Sequence, residues 1–246
     1  MAGLRTVLAD VTWLARFGAY EHTDRIIYDV EAYGGNLRAE ERGSTDLVDW
    51  AGPAELDSWP LMPFTSRLLG RPVPAPEVAS SDGAPDSGTD IPDGAPKRVQ
   101  RFGAYAVATD PAGRILLTRI ATNFPGAGLW HLPGGGTDHG ETPEEALARE
   151  LVEETAQVGR ITGLLGISHR YDPAAMGPEG VPMSWHVVRV LFRVQVETPT
   201  EPVVTEAAGG STDAAGWFSP EQAEKLPLTE IARSALRRLV TEQTRQ

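Results

Sequence analysis

"GGTDHGETPEEALARELVEETAQ", residues 135–157, is the stretch on which the rest of this sequence is read. It opens on glycines, which lack a Cβ and so let the backbone turn tightly and approach a ligand closely. Thr142-Pro143-Glu144-Glu145 then follows the order of an N-cap, a first-turn proline and a capping-box glutamate, which predicts a helix from Pro143. Ala146, Leu147, Leu151 and the methyl of Thr155 recur along it at helical spacing. Glu150, Glu153, Glu154 and Gln157 fall at i, i+3, i+4 and i+7 and make a separate stripe. Carboxylates three and four residues apart oppose each other by roughly 0.2–0.5 kcal/mol per pair. A hard cation such as Mg²⁺ or Mn²⁺, which takes oxygen ligands, would offset that repulsion. The alternative is a solvated face in which Arg149 pairs with Glu145 or Glu153, each four residues away.

The spacing is itself specific. Gly135, five residues, Glu141, seven residues, Arg149-Glu150, Leu151, one residue and Glu153-Glu154 resemble the signature of the Nudix family. The sequence departs from it at the end, with Ala156 where the signature has Gly and Gln157 where it has an aliphatic residue. If residue 156 must adopt the left-handed conformation that ends a helix, Ala costs roughly 1–2 kcal/mol there. Otherwise the helix runs on to Gly159, a natural C-terminal glycine.

The resemblance implies an α/β fold, an α/β/α sandwich with a mixed sheet over residues 98–246. It also implies Mg²⁺-dependent hydrolysis, with Mn²⁺ as a substitute, of a nucleoside diphosphate linked to another group. Carried over by position, Glu150, Glu153 and Glu154 would coordinate the metal with the Gly135 carbonyl, while Glu141 and Arg149 would hold those carboxylates in place. Either Glu150 or Glu154 would act as base. A further acid from a later loop would be Glu206 or Asp213. The same resemblance leaves two rivals: a Nudix-fold sensor that holds nucleotide without turnover, and an isomerase whose chemistry in similar enzymes relies on cysteine, which this chain lacks.

Other candidates are weaker. Arg119 at the end of "ILLTRI", His131 just before the glycines and Arg170 are candidates for substrate contact, beside Glu206 and Asp213. His139 and His169 complete the histidines near the site, and with no second histidine at ligand spacing a zinc site is not expected. The loop "RYDPAAMGPEGVPMSW", residues 170–185, is expected to select the substrate, whether nucleoside triphosphate, nucleotide sugar or dinucleoside polyphosphate.

Outward from the site, "RFGAYAVATDPAGRILLTRI" predicts a hairpin around Asp110-Pro111-Ala112-Gly113, and "LWHLP" a short third strand. "RITGLLGISHR" and "WHVVRVLFRVQVE" read as strands, and "PLTEIARSALRRLV" as a closing helix with Leu228, Ile231, Ala235, Leu236 and Val240 inward. Residues 71–97, rich in Pro, Gly, Ser and Asp, have little to bury and read as a flexible linker.

Residues 1–70 carry a repeat signal. "GSTDLVDW" at 43–50 recurs as "GSTDAAGW" at 210–217, an offset of 210 − 43 = 167 that also relates Pro53 to Pro220, Pro60 to Pro227 and Leu69 to Leu236. "HTDRIIYDVEAY" from His22 resembles "HVVRVLFRVQVE" from His186. Such similarity suggests duplication. Residues 1–70 would then be a degenerate, smaller α+β half-repeat without the glycine loop or the acidic helix. It would be catalytically silent and packed on the C-terminal domain or on another copy.

Composition sets the outer bounds. The chain has 246 residues, 22 Lys plus Arg against 34 Asp plus Glu, and a formal charge of −12. That surface repels duplex nucleic acid, whereas a small polyanion remains accessible if a metal supplies local positive charge. No stretch reads as a signal peptide or approaches 18 apolar residues, so a soluble, cytoplasmic protein without membrane contact is expected. The expected partner is a small-molecule nucleotide, and a homodimer is compatible with the resemblance.

Overall fold

The computed structural model describes residues 3–14, 19–39, 45, 47–73, 97–176, 180–205 and 210–243, with backbone alone at residues 3, 8–14, 19–22 and 240–243. It divides into two compact units, residues 1–89 and 90–246.

In the first unit, β1 (Gly3–Leu14) and β2 (Ala19–Asp29) form an antiparallel two-stranded sheet. A 3-10 turn at Glu55–Ser58 and the short helix α1 (Pro63–Leu68) follow. Arg5 ties helix to hairpin by bonding Asp29 Oδ1 and Leu68 O, each at 3.3 Å, and Arg25 lies over the Phe64 ring at 4.5 Å. Most of the proposed linker, residues 74–96, lies outside the described residues, as do Gly43, Ser44 and Asp46 of the repeated motif.

The second unit is built on a seven-stranded mixed sheet. Its strands are β3 (Lys97–Thr109), β4 (Ile115–Ile120), β5 (Trp130–His131), β6 (Gly134–Gly136), β7 (Arg160–Met176), β8 (Pro182–Gln195) and β9 (Thr212–Phe218). The order is β5-β4-β3-β8-β7, with β6 on β3 and β9 on β4. β3 runs parallel to β8 over its full length, and the other pairings are antiparallel.

Burial alternates across this sheet. Val107, Ile115, Leu117 and Leu191 meet Ala232, Ala235 and Leu236 of the closing helix α4 (Glu230–Gln243), with Leu228 beside its start. The intervening Ala104, Ala106, Leu116 and Val190 are fully buried on the other face. There α2 (Pro143–Thr155) packs against β3, β6 and β9. The sheet therefore lies between helices, as an α/β/α sandwich requires, and its central strands read as apolar runs because both faces are covered. Val240, expected inward, lies among the residues described by backbone alone.

Two local expectations change. The hairpin turn at Asp110–Gly113 forms, with Gly113 at φ 76° and Asp110 Oδ1 accepting from Arg114 N at 2.8 Å. Yet β3 and β4 pair only at Thr109 and Ile115, because β3 goes on to pair with β6 and β4 with β9. Residues 170–185 are mostly strand rather than loop, since β7 continues to Met176 and β8 begins at Pro182. Pro173 is tolerated because β7 is an edge strand and the proline falls in the register shift between Asp172 and Ala175.

Helix α2 begins as its sequence predicts: Thr142 Oγ1 accepts from Glu145 N, and the Glu145 carboxylate accepts from Thr142 N. It ends at Thr155, not Gly159, with Ala156 in the left-handed conformation at φ 54°. The carbonyls of the last turn are satisfied by a crossing strap. Val203 N bonds Thr155 O at 3.1 Å, Thr205 N bonds Glu153 O at 2.7 Å, and buried Gln157 exchanges bonds with Thr200. Among the described residues no helix is long and apolar enough to cross a membrane.

Candidate active site

The glycines of β6 and the acidic stripe of α2 face each other because both pack on β3. Gly135 pairs with Ala104 and projects to the α2 side, where a Cβ on it would come within 2.3 Å of Glu150 Oε1. Only glycine leaves room there for the carboxylate. Gly134, at φ 132°, lies so close to β3 that a Cβ would meet the Ala104 carbonyl oxygen at 2.2 Å. Its N–H donates to Glu154 Oε2 at 2.8 Å, and Thr212 Oγ1 of β9 donates to the other oxygen, so Glu154 is held at both ends while only 3% exposed.

Arg149 organises the other acids. Its five N–H groups make five hydrogen bonds: Nε and Nη2 fork onto Glu141, each at 2.9 Å, Nη1 reaches Glu150 at 3.0 Å and Glu153 at 3.1 Å, and Nη2 also reaches Gly136 O at 3.1 Å. The Arg149 bond is the largest influence holding the Glu141 carboxyl below the usual carboxylate range, and the same bond raises Arg149 further. The solvated-face alternative is thus half present. Arg149 pairs with Glu153, while Glu145 is committed to the cap.

As they stand, the carboxylates do not converge. Among the described residues no group of three or more His, Asp or Glu side chains is gathered on one point. Glu150 and Glu153 turn to Arg149 and Glu154 to Gly134 and Thr212. The donor set, three carboxylates beside a glycine-lined backbone, is nonetheless the oxygen chemistry that a hard divalent cation takes.

The weaker candidates separate. Arg119 and Asp213 bond each other at 2.7 Å, part-exposed, and so are partners across β4 and β9. Arg170 is exposed on β7 and pairs with Asp172 at 3.4 Å, away from α2. Glu206 lies outside the described residues, directly after the strap. His139 is exposed in the loop before α2, and exposed His169 packs edge-on against His186. His131 is held inside: its Nδ1 lies 2.8 Å from Thr229 Oγ1 and its ring 5.1 Å from that of Tyr105. Burial first, then the nearby Arg189 charge, push it down to about 4, so it is neutral near pH 7.

Three residues near the site were not singled out from the sequence. Thr212 belongs to the repeated "GSTD" motif, whose recurrence carries no sign of the hydrogen bond it makes to Glu154. Tyr105 is half-buried, and desolvation first, then the Glu154 and Glu150 charges, raise its hydroxyl against the lowering influence of Arg189. Arg189 interrupts the apolar run "WHVVRVLF", a signal that was available. A charged residue inside an otherwise apolar central strand must meet something.

Known proteins bear on this geometry. The sequence pattern of the family described as "NUDIX domain" matches residues 99–239. The chain is 37% identical over 83 residues to an ADP-ribose pyrophosphatase of Methanocaldococcus jannaschii, covering 34% of this chain and 44% of that protein. It is 37% identical over 68 residues to a putative 8-oxo-dGTP diphosphatase of Bacillus subtilis, covering 28% and 43%. The chain thus spans under half the length of these two curated relatives. Among solved structures, a MutT NUDIX hydrolase from Burkholderia pseudomallei is similar at TM-score 0.45 and 32% identity, over 57% of this chain and 98% of that one.

Proposed function

The chain belongs to the Nudix family, and from that premise we propose that it hydrolyses a diphosphate bond in a nucleoside diphosphate-linked compound with the help of a divalent cation. The observation that carries this reading is the coupling of the glycine strand to the acidic helix: Glu154 on Gly134 N, Glu150 against Gly135, and Arg149 on Gly136 O. Glu150, Glu153 and Glu154, with the Gly135 carbonyl, would hold Mg²⁺ or Mn²⁺. The bound ion would neutralise charge on phosphate oxygens and lower the pKa of a water. Arg149 and Glu141 position the ligands, since a guanidinium fork fixes both partners in one geometry. Glu150 or Glu154 takes the proton from the attacking water. Glu154 is the more rigid of the two and Glu150 the more open to solvent.

One observation favours a second reading, a nucleotide-binding module without turnover. Glu154 already has partners on both oxygens. The discriminating experiment is product release with and without Mg²⁺ across nucleoside triphosphates, nucleotide sugars and dinucleoside polyphosphates. ADP-ribose and 8-oxo-dGTP head the panel because the relatives' names contain them. Metal-dependent cleavage lost in Glu150→Gln supports the hydrolase. Nucleotide binding by folded protein with no cleavage of any compound supports the module.

Residues 1–70 fit a catalytically silent half-repeat. The 167-residue offset places the start of α1, Pro63, on the start of α4, Glu230, and the 3-10 turn 55–58 on 222–225, at the end of α3 (Pro220–Ala223). The match of His22 to His186, at the shorter spacing of 186 − 22 = 164, sets the hairpin β1–β2 against β7–β8. Residues 47–50, which the offset sets against β9, form no strand. β9 is held by β4, and the described residues of the first unit contain no counterpart of β4. Expression of residues 98–246 alone, with cleavage equal to the full chain, is the expected outcome. Loss of cleavage in a folded fragment would reject the silent role.

A further inference from the structure

The sheet face opposite α2 carries a second charged arrangement beside β6. Gly103 of β3 pairs with Arg189 of β8 on one side and with Gly136 of β6 on the other. Directly paired residues project from the same face of a sheet. Arg189 therefore rises from the face on which Gly103 and Gly136 present no side chain. A Cβ on Gly136 would come within 2.3–3.1 Å of three Arg101 guanidinium atoms, which places that guanidinium over Gly136. Two guanidiniums thus border a glycine floor two strand spacings wide, on the order of 10 Å.

Neither cation is paired with an acid among the described residues, although acids outnumber bases 34 to 22 in the chain. Arg189 is half-buried, 5.9 Å from the centre of the Tyr105 ring, and its Nε is buried without a hydrogen-bond acceptor. An uncompensated buried guanidinium donor costs free energy unless an acceptor arrives. His131, the other polar ring beside it, is neutral and offers no counter-charge. The Tyr105 hydroxyl is under the opposing influences of the Arg189 charge and those of Glu154 and Glu150.

We propose that Arg101 and Arg189 bind a phosphoryl group of the substrate across the Gly103–Gly136 floor, a contact made by protein cations rather than through metal. This rests on the hydrolase reading and deepens it. The substrate presents one phosphoryl group to the carboxylate side of β6 and another to the arginine side. The scissile diphosphate is oriented by both, and compounds with a single phosphoryl group are discriminated against. Arg189 supplies a planar fork suited to phosphate oxygens, which lysine does not reproduce.

The test uses the full chain in EDTA, so that metal plays no part, and titrates inorganic pyrophosphate by calorimetry. Wild type is expected to bind, with Arg189→Gln and Arg101→Gln each weakening the affinity tenfold or more and Arg189→Lys recovering part of it. Arg160→Gln, which removes an exposed cation paired with Glu197, controls for net charge and should leave the affinity unchanged. In turnover with saturating Mg²⁺ the loss in Arg189→Gln should fall mainly on KM. Absence of metal-free pyrophosphate binding by wild type overturns the proposal, and so does an affinity in both glutamine variants equal to that of Arg160→Gln. If Arg189→Gln does not fold, Arg101→Gln decides. Failure to cleave any nucleotide would sink the hydrolase reading without touching the pyrophosphate result, so the two are separable.

Discussion

On the two sides of β6 the same residue type is used in opposite ways. Arg149, on the α2 side, spends all five N–H donors on Glu141, Glu150, Glu153 and Gly136. Arg189, on the α4 side, leaves a buried Nε without an acceptor. A saturated guanidinium holds its neighbours and has nothing left for a ligand, whereas an unsaturated one in a partly desolvated place is prepared to receive an anion. The difference separates residues that position from residues that recognise.

The comparison is broken most severely by removing charge from the positioned acids. Glu154→Gln keeps an amide oxygen to accept from Gly134 N and turns the other position into an NH2 that can only donate to Thr212 Oγ1, so the carboxylate is lost, and kcat should fall about 10²-fold or more, the scale of a lost acid–base group. Rates measured at saturating Mg²⁺ that stay within a factor of three would show Glu154 to be structural only.

Arg149→Lys asks whether the fork matters or only the charge. A lysine ammonium cannot fork onto Glu141 and reach Gly136 O together. The Mg²⁺ concentration for half-maximal rate should rise about 10- to 100-fold, the usual effect of disturbing residues behind metal ligands. An unchanged metal requirement would remove the positioning role.

The arginine side is sharpened by pH. His131 is shifted down to about 4 from an ordinary value of 6.5, so in that interval the unfolded chain binds more protons than the folded one. Stability therefore rises with pH there and is lost as pH falls from about 6.5 toward 4. Glu141 is also held low, so its contribution is present above the ordinary carboxylate value and disappears as pH falls through its lowered folded value. Thermal midpoints of His131→Gln should be flatter than wild type between pH 6.5 and 4.5 and fall in parallel with it at lower pH. Parallel curves throughout would mean that His131 does not titrate as placed.

The smallest effect is a control for both sides. Ala156→Gly relieves a left-handed alanine at φ 54° and should stabilise the domain by about 1 kcal/mol. Turnover and pyrophosphate affinity should not move. A lower midpoint on heating would contradict the strain at this position.

Much of the acidic side could be read from the sequence. The capping box at Thr142, the apolar positions Ala146, Leu147 and Leu151 and the stripe Glu150, Glu153, Glu154 all depend on residues within a few positions of one another. Strand boundaries were less legible. Pro173 reads as a loop residue, and only the edge position of β7 with its register shift lets the strand continue. Arg119 and Asp213, read separately, proved to be one pair because β9 adds to β4 across 94 residues of sequence.

What the sequence determined by itself was the acidic helix, its start, its facing glycines and through their spacing the family, because helical period and capping are local and survive without knowledge of distant partners. The tertiary structure alone decided where α2 stops, through the strap that crosses at Val203 and Thr205. It also decided that Thr212 pins Glu154 from 58 residues away and that Arg189 meets Gly103 across a parallel ladder. Those outcomes depend on which strands become neighbours, a choice made by closing long loops and filling both faces of one sheet, and no local pattern in the chain encodes it.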